Sequence, residues 1–150
     1  MREMQEKRVP MAEILHQLVI DVPPGGVFDA ITQQKGLSQW WTTDVRAEPK
    51  VGSIAEFGFN SRAAVFEIRI VALDRPNFVR WHCLVGHPEW SNTDLTFALS
   101  GRAGATVLRF AHRGWESSEG LLAQCSYDWA RYLASLKSYL ETGSGSPHQG

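Results

Sequence analysis

The chain has 150 residues, 43% of them hydrophobic, and 15 Lys+Arg stand against 16 Asp+Glu for a net charge of -1. That size fits one domain with a core of its own; the hydrophobic share excludes a disordered chain, and the balanced charge lacks the basic field a nucleic-acid partner needs. The two cysteines, Cys83 and Cys125, form no CxxC pair, and no apolar run approaches the ~20 residues that span a bilayer, so a reduced, soluble, cytoplasmic protein is expected.

Residues 1–12 are polar, lack the apolar centre of a secretory signal, and read as a flexible arm. The first strand spans about Glu13 to Val22. Ile14, Leu18, Ile20 and Val22 repeat at period two, and His16 shares their face. DVPPGGVFDAITQQ then turns into a short helix with Pro24 near its first position and Val27, Phe28 and Ile31 turned inward. Gly25 and Gly26 weaken its start, Gly36 breaks it, and LSQWWT forms a second short helix. Adjacent helical residues point about 100° apart, so Trp40 and Trp41 cannot lie on one stripe. One ring can anchor a core; the other faces solvent, a partner or a cavity.

From Val45 to Ala111 the pattern is strand and turn. SIAEFGF, AAVFEIRIVALD, FVRWHCLV, SNTDLTFALS and ATVLRFAH are strand candidates bounded by Gly, Pro, Asn or Asp. DRPN and SGRAGA are the turns between the later ones. The run from Ala63 to Asp74 would extend ~40 Å, long enough for twist to curl it. The last element, from about Glu119 to Glu141, is a helix. Leu122, Cys125, Trp129, Leu136 and Leu140 recur at three- and four-residue steps with Tyr132 or Leu133 between, and Gln124, Asp128 and Arg131 lie opposite. Gly143 stops it, and residues 143–150, GSGSPHQG, read as a flexible tail. This helix is ~33 Å long and a seven-stranded sheet is ~30 Å across, so one can span the other. A curved sheet under a straight helix leaves a cavity, and the available lining is aromatic.

Four stretches, VIDVPPGGVFDAIT, GLSQWWT, TFALSGRAGATVLRFAHRGW and DWARYLASLKSYLETG, together resemble the START-like superfamily SRPBCC over residues 13–142. Within it they are most similar to the branch named for the activator of heat-shock protein ninety ATPase. The double tryptophan and the His112-x-Gly114-Trp115 motif behind Thr106, Leu108 and Phe110 carry most of the resemblance. It implies an α+β helix-grip fold: a curved seven-stranded antiparallel sheet around a long C-terminal helix, two short helices after strand 1, and a hydrophobic cavity between. The first strand is then expected beside the last. Two features depart from the family. Gly25 and Gly26 replace a common charged pair, and 150 residues leave no room for the separate N-terminal domain with which chaperone activators engage the chaperone.

The expected cavity residues are Trp40, Trp41, Phe57, Phe66, Trp81, Phe97, Phe110, His112, His16, Cys125 and Trp129. One or two of Trp40, Trp41 and Trp129 should form the wall, with the remaining tryptophans, Trp90 and Trp115 among them, packing as core. His112 shares the inward face of its strand, and the implied strand pairing brings His16 near it. Such a pair could anchor a ligand or act as a base near neutral pH; the alternative is a hydrogen-bonded core histidine. Cys125 and Cys83 read as packing thiols, since apolar surroundings raise a thiol's pKa. His82, Cys83 and His87 lack the spaced ligand pairs of a zinc site, so no metal and no cofactor are expected. Glu56, beside Phe57 and Phe59, could rim the cavity mouth, while Glu67 and Arg69 read as solvated.

Three functions are open. The first is binding of a small hydrophobic, aromatic or lipid-like molecule, with entry through movement of the short helices around Trp40 or of the 86–92 loop. The second is a cyclase- or aromatase-like enzyme using the same cavity. The third is co-regulation of a chaperone ATPase. Either a monomer or a homodimer is expected, with neither nucleic acid nor membrane as partner.

Overall fold

The computed structural model describes residues 11–150. The arm expected over 1–12 lies, up to residue 10, outside the described residues. Strand β1 (Ala12–Ile20) is followed by helices α1 (Pro24–Thr32) and α2 (Gln34–Trp40). Six strands follow: β2 (Asp44–Arg46), β3 (Ile54–Phe59), β4 (Ala64–Asp74), β5 (Phe78–Val85), β6 (Asp94–Arg102) and β7 (Ala105–Trp115). Helix α3 (Leu122–Thr142) comes last. The strands form one antiparallel sheet in the order β1-β7-β6-β5-β4-β3-β2, with the first strand beside the last. This is the helix-grip fold.

Period-two alternation explains the inner face. Leu95, Phe97 and Leu99 of β6 and Leu108, Phe110 and His112 of β7 are all buried. Trp115 would break that parity, yet it is fully buried. The β1–β7 register slips by one between Ala12 and Glu13, and Gly114 sits opposite the slip with φ +96°. That bulge re-aims Trp115 inward. Strand β4 slips twice against β5, with Val71 turned out, so the long strand bends instead of running straight.

The break between the short helices falls at Gln33, whose backbone is extended, and Gly36 lies inside α2. Gly36 serves a close approach: a Cβ there would sit 2.6 Å from Ala30 Cα and carbonyl O. Trp40 fixes the same contact by donating Nε1–H to Ala30 O at 2.9 Å. Helix α3 ends on Gly143, left-handed at φ +86°, whose N–H reaches Tyr139 O.

The C-terminal segment is not loose. His148 N–H donates to Trp41 O at 2.8 Å, Thr43 N–H to His148 O at 2.9 Å, and Ser146 N–H to Ser135 Oγ at 2.7 Å. A Cβ on Gly145 would stand 2.3 Å from Gln39 O. The Gly/Ser composition that resembles a linker is here what lets the chain pass tightly between α2 and α3.

Candidate functional site

A cavity of about 590 Å³ opens between α3 and the β3–β4 end of the sheet. Helix α3 supplies Cys125, Asp128, Trp129 and Tyr132, with Leu121 just before it. The sheet supplies Phe59, Ala64, Val65 and Phe66, and the β3–β4 turn supplies Ala63. Gly86, His87 and Trp90 come from the β5–β6 loop, and Trp41 from the end of α2. The rings form a connected surface. Trp41 and Trp129 centroids lie 5.1 Å apart, Trp90 and Trp129 stack at 6.0 Å and 27°, and Phe66 meets Trp90 at 4.5 Å. Beside the mouth, Asn60, Ser61 and Arg62 hold φ of 54°, 55° and 67° in succession, a left-handed turn that non-glycine residues disfavour. Arg62 secures it, bonding Asp44 at 3.0 Å and Glu56 at 2.9 Å.

Behind the rings a chain of hydrogen bonds fixes their orientation. Trp129 donates Nε1–H to His112 Nδ1 at 3.2 Å. An indole N–H can only donate, so Nδ1 accepts and the imidazole proton sits on Nε2. Nε2–H then donates to Thr93 Oγ1 at 2.8 Å, and Thr93 Oγ1–H to Trp90 O at 2.5 Å. Every member is satisfied with consistent direction. His112 is fully buried, and burial lowers its pKa from 6.5 to about 3, against a weaker upward pull from Asp94. It stays uncharged at neutral pH with both nitrogens engaged.

The thiols are passive. Burial pushes Cys83 up to about 11. Cys125 is raised too, first by burial and further by Asp128 and Glu89, although its sulfur accepts Trp90 Nε1–H at 3.3 Å. Neither thiol is poised as a thiolate nucleophile.

Residues 21–141 match the family model of the activator of Hsp90 ATPase homolog 1-like proteins. The chain belongs to this family. An Aha1 protein from Colwellia psychrerythraea, solved in solution as a dimer, is 32% identical, with a TM-score of 0.83 over 90% of this chain and 100% of that one. A protein from Mesorhizobium loti shares the fold at 18% identity and a TM-score of 0.78, over 87% of this chain and 97% of that one. CalU16 from Micromonospora echinospora does so at 19% identity and 0.71, over 91% and 78%. No curated protein matches the chain.

In this Aha1-family chain, Trp41, Phe66, Cys125 and Trp129 reach the cavity wall. Trp40, Phe57, Trp81, Phe97 and Phe110 do not. They lie buried in the packed core, Phe57 and Trp81 behind Trp41 at 4.3 and 6.0 Å, and Phe110 behind Trp129 at 4.6 Å. His112 sits in the core behind Trp129. His16 is separate from it: it lies opposite Phe110 in the register, and its Nε2 lies 3.1 Å from Ser126 O, tying β1 to α3. Glu56 faces away from Phe57 and pairs with Arg62. His82 bonds Asp94 at 2.8 Å on the outer face while Cys83 points in, and His87 lies apart in the loop.

Ten wall residues lie outside the expected set, among them Phe59, His87, Trp90, Asp128 and Tyr132. A helical clue existed for two of them. Cys125, Asp128, Trp129 and Tyr132 form an i, i+3, i+4, i+7 stripe, so Asp128 borders the inward face it was set opposite. Trp90 and His87 sit in a loop, where no periodicity gives direction.

Proposed function

We propose that the chain is a binding protein for a small, mainly apolar molecule held in this cavity. The observation that carries the reading is the 590 Å³ space itself, walled by Trp41, Phe66, Trp90 and Trp129 and open at one side. Its size and apolar lining match small-molecule sites in general. Burying ~300 Å² of apolar ligand surface releases about 7.5 kcal/mol at ~25 cal/mol per Å² before association costs, so Kd should be micromolar or weaker. The 86–92 loop contributes Gly86, His87 and Trp90 to the wall, which supports entry there.

The satisfied Trp129–His112–Thr93 chain leaves His112 no free nitrogen for proton transfer, and this favours binding over a cyclase-like reaction that would use it. Titrating the protein with a neutral naphthyl probe should quench tryptophan fluorescence. Ala64→Phe, which fills the wall, should abolish quenching while the circular dichroism spectrum stays intact. Undiminished binding by that variant would place the probe elsewhere and end the proposal. Native mass spectrometry of freshly purified protein then identifies any molecule carried through purification.

The family match supports a second reading, co-regulation of a chaperone ATPase, and the Colwellia relative supports pairing of two copies. ATP hydrolysis by a bacterial Hsp90 homologue with excess chain tests the first: an unchanged rate ends it. Light scattering across a concentration series tests the second.

A further inference from the structure

We infer that the cavity selects a ligand bearing a positively charged nitrogen, an amine or quaternary ammonium on an apolar body; this rests on the binding reading above. Among the described residues the wall contains no Lys or Arg, and its one carboxylate is Asp128. Two of the three wall indoles spend their N–H groups inside the protein, Trp90 on Cys125 Sγ at 3.3 Å and Trp129 on His112 Nδ1 at 3.2 Å. What these two rings offer the cavity is therefore electron-rich ring surface, with the donor edge that would stabilise an anion already used. A cation over such faces is attracted by the ring quadrupole, most strongly when desolvated.

Of the remaining polar groups, one is a neutral donor and the other a carboxylate. His87 Nδ1 accepts the Glu89 N–H at 3.1 Å, which fixes its proton on Nε2. Glu89 Oε1 accepts the Leu121 N–H at 3.0 Å, placing a second carboxylate beside the cavity at the start of α3. Both Asp128 and Glu89 act on the Cys125 thiol in the direction of a negative local potential. Arg131, whose Cζ lies 5.6 Å from the Tyr132 ring centroid, is an opposing charge. It meets Asp128 Oδ1 at 3.2 Å from outside the wall, in a pair exposed by 55% and 34%, and such exposed pairs are weak. Gln124 Nε2 shares that same oxygen at 3.1 Å, and Oδ2 accepts no hydrogen bond among the described residues. A carboxylate guest could accept from His87 Nε2–H but would face the Asp128 charge without a cation in the wall to offset it. An ammonium would meet a counter-ion and a cage.

Three naphthyl probes of one size separate the possibilities: (2-naphthylmethyl)trimethylammonium, 2-naphthylmethanol and 2-naphthylacetate. Titrated by calorimetry, the ammonium should bind about tenfold more tightly than the acetate. Asp128→Asn should cut ammonium affinity about fivefold, leave the alcohol unchanged and keep the melting temperature. Glu48→Gln, in the β2–β3 loop outside the wall, should leave the order intact. If the acetate binds as tightly as the ammonium, or Asp128→Asn leaves the ammonium unaffected, charge selection is overturned while the alcohol still reports an apolar site. If none of the probes binds, the cavity reading falls and this inference with it.

Discussion

Protonation of His112 should cost the fold a defined amount. In the native state the imidazole is uncharged, with its pKa lowered to about 3, whereas the unfolded chain should titrate near the ordinary 6.5. Below 6.5 the unfolded state therefore binds the extra proton, so stability falls with pH down toward 3. Between about pH 7.5 and pH 5 this one group should remove about 2 kcal/mol, at 1.36 kcal/mol per unit. His112→Gln gives the matching control. Its side chain can accept from Trp129 and donate to Thr93 as the imidazole does, but it cannot titrate. Urea unfolding at both pH values, for both proteins, isolates the effect because His16, His82, His87 and His148 contribute equally and cancel. Imidazole nitrogen NMR adds an independent reading: His112 should show a proton on Nε2 and none on Nδ1 down to about pH 4. Equal losses in the two proteins, or a titration near 6.5, would refute the buried neutral link and return His112 to the list of candidate bases.

Three further outcomes are expected. Gly36→Ala, which in an open helix gains about 1 kcal/mol, should instead destabilise by more than ~2 kcal/mol, because its Cβ lands 2.6 Å from the Ala30 backbone; a stabilised variant in urea melts would contradict the packing. Gly86→Ala places a Cβ 2.3 Å from Phe66 Cδ2 at a φ of +157° that L side chains rarely adopt, so it should push that ring into the cavity, weakening the ammonium probe about tenfold while also lowering the melting temperature. Removing residues 144–150 should lower unfolding free energy by roughly 1–3 kcal/mol, at about 1 kcal/mol for each hydrogen bond lost; an unchanged melting temperature would mean the segment is only resting on the surface.

Periodic elements were legible and irregular ones were not. The three- and four-residue steps from Leu122 to Leu140 placed α3 and its buried face, with Cys125, Trp129 and Leu136 inward. Alternation in TFALS and ATVLRFAH gave the inner face of β6 and β7 in the same way. Strand β2 is three residues, too short to show a period. Gly114 adds a residue to β7 and reverses its parity, which moved Trp115 inside against any alternation count. Phe57 and Phe59 share a strand face, yet one is core and the other wall; their fate depends on how far along the bent sheet each lies. Linker-like composition at 143–150 concealed a tight passage, because glycine serves both freedom and close contact.

The seated terminus has a practical consequence for the bench. His148 leans its ring against Phe59, with centroids 5.1 Å apart, and Phe59 is part of the wall. Any purification tag or reporter fused after Gly150 is tethered two residues from that contact. A pull or steric load there bears on the cavity wall itself, so probe affinities measured on C-terminal fusions should differ from those of the cleaved protein.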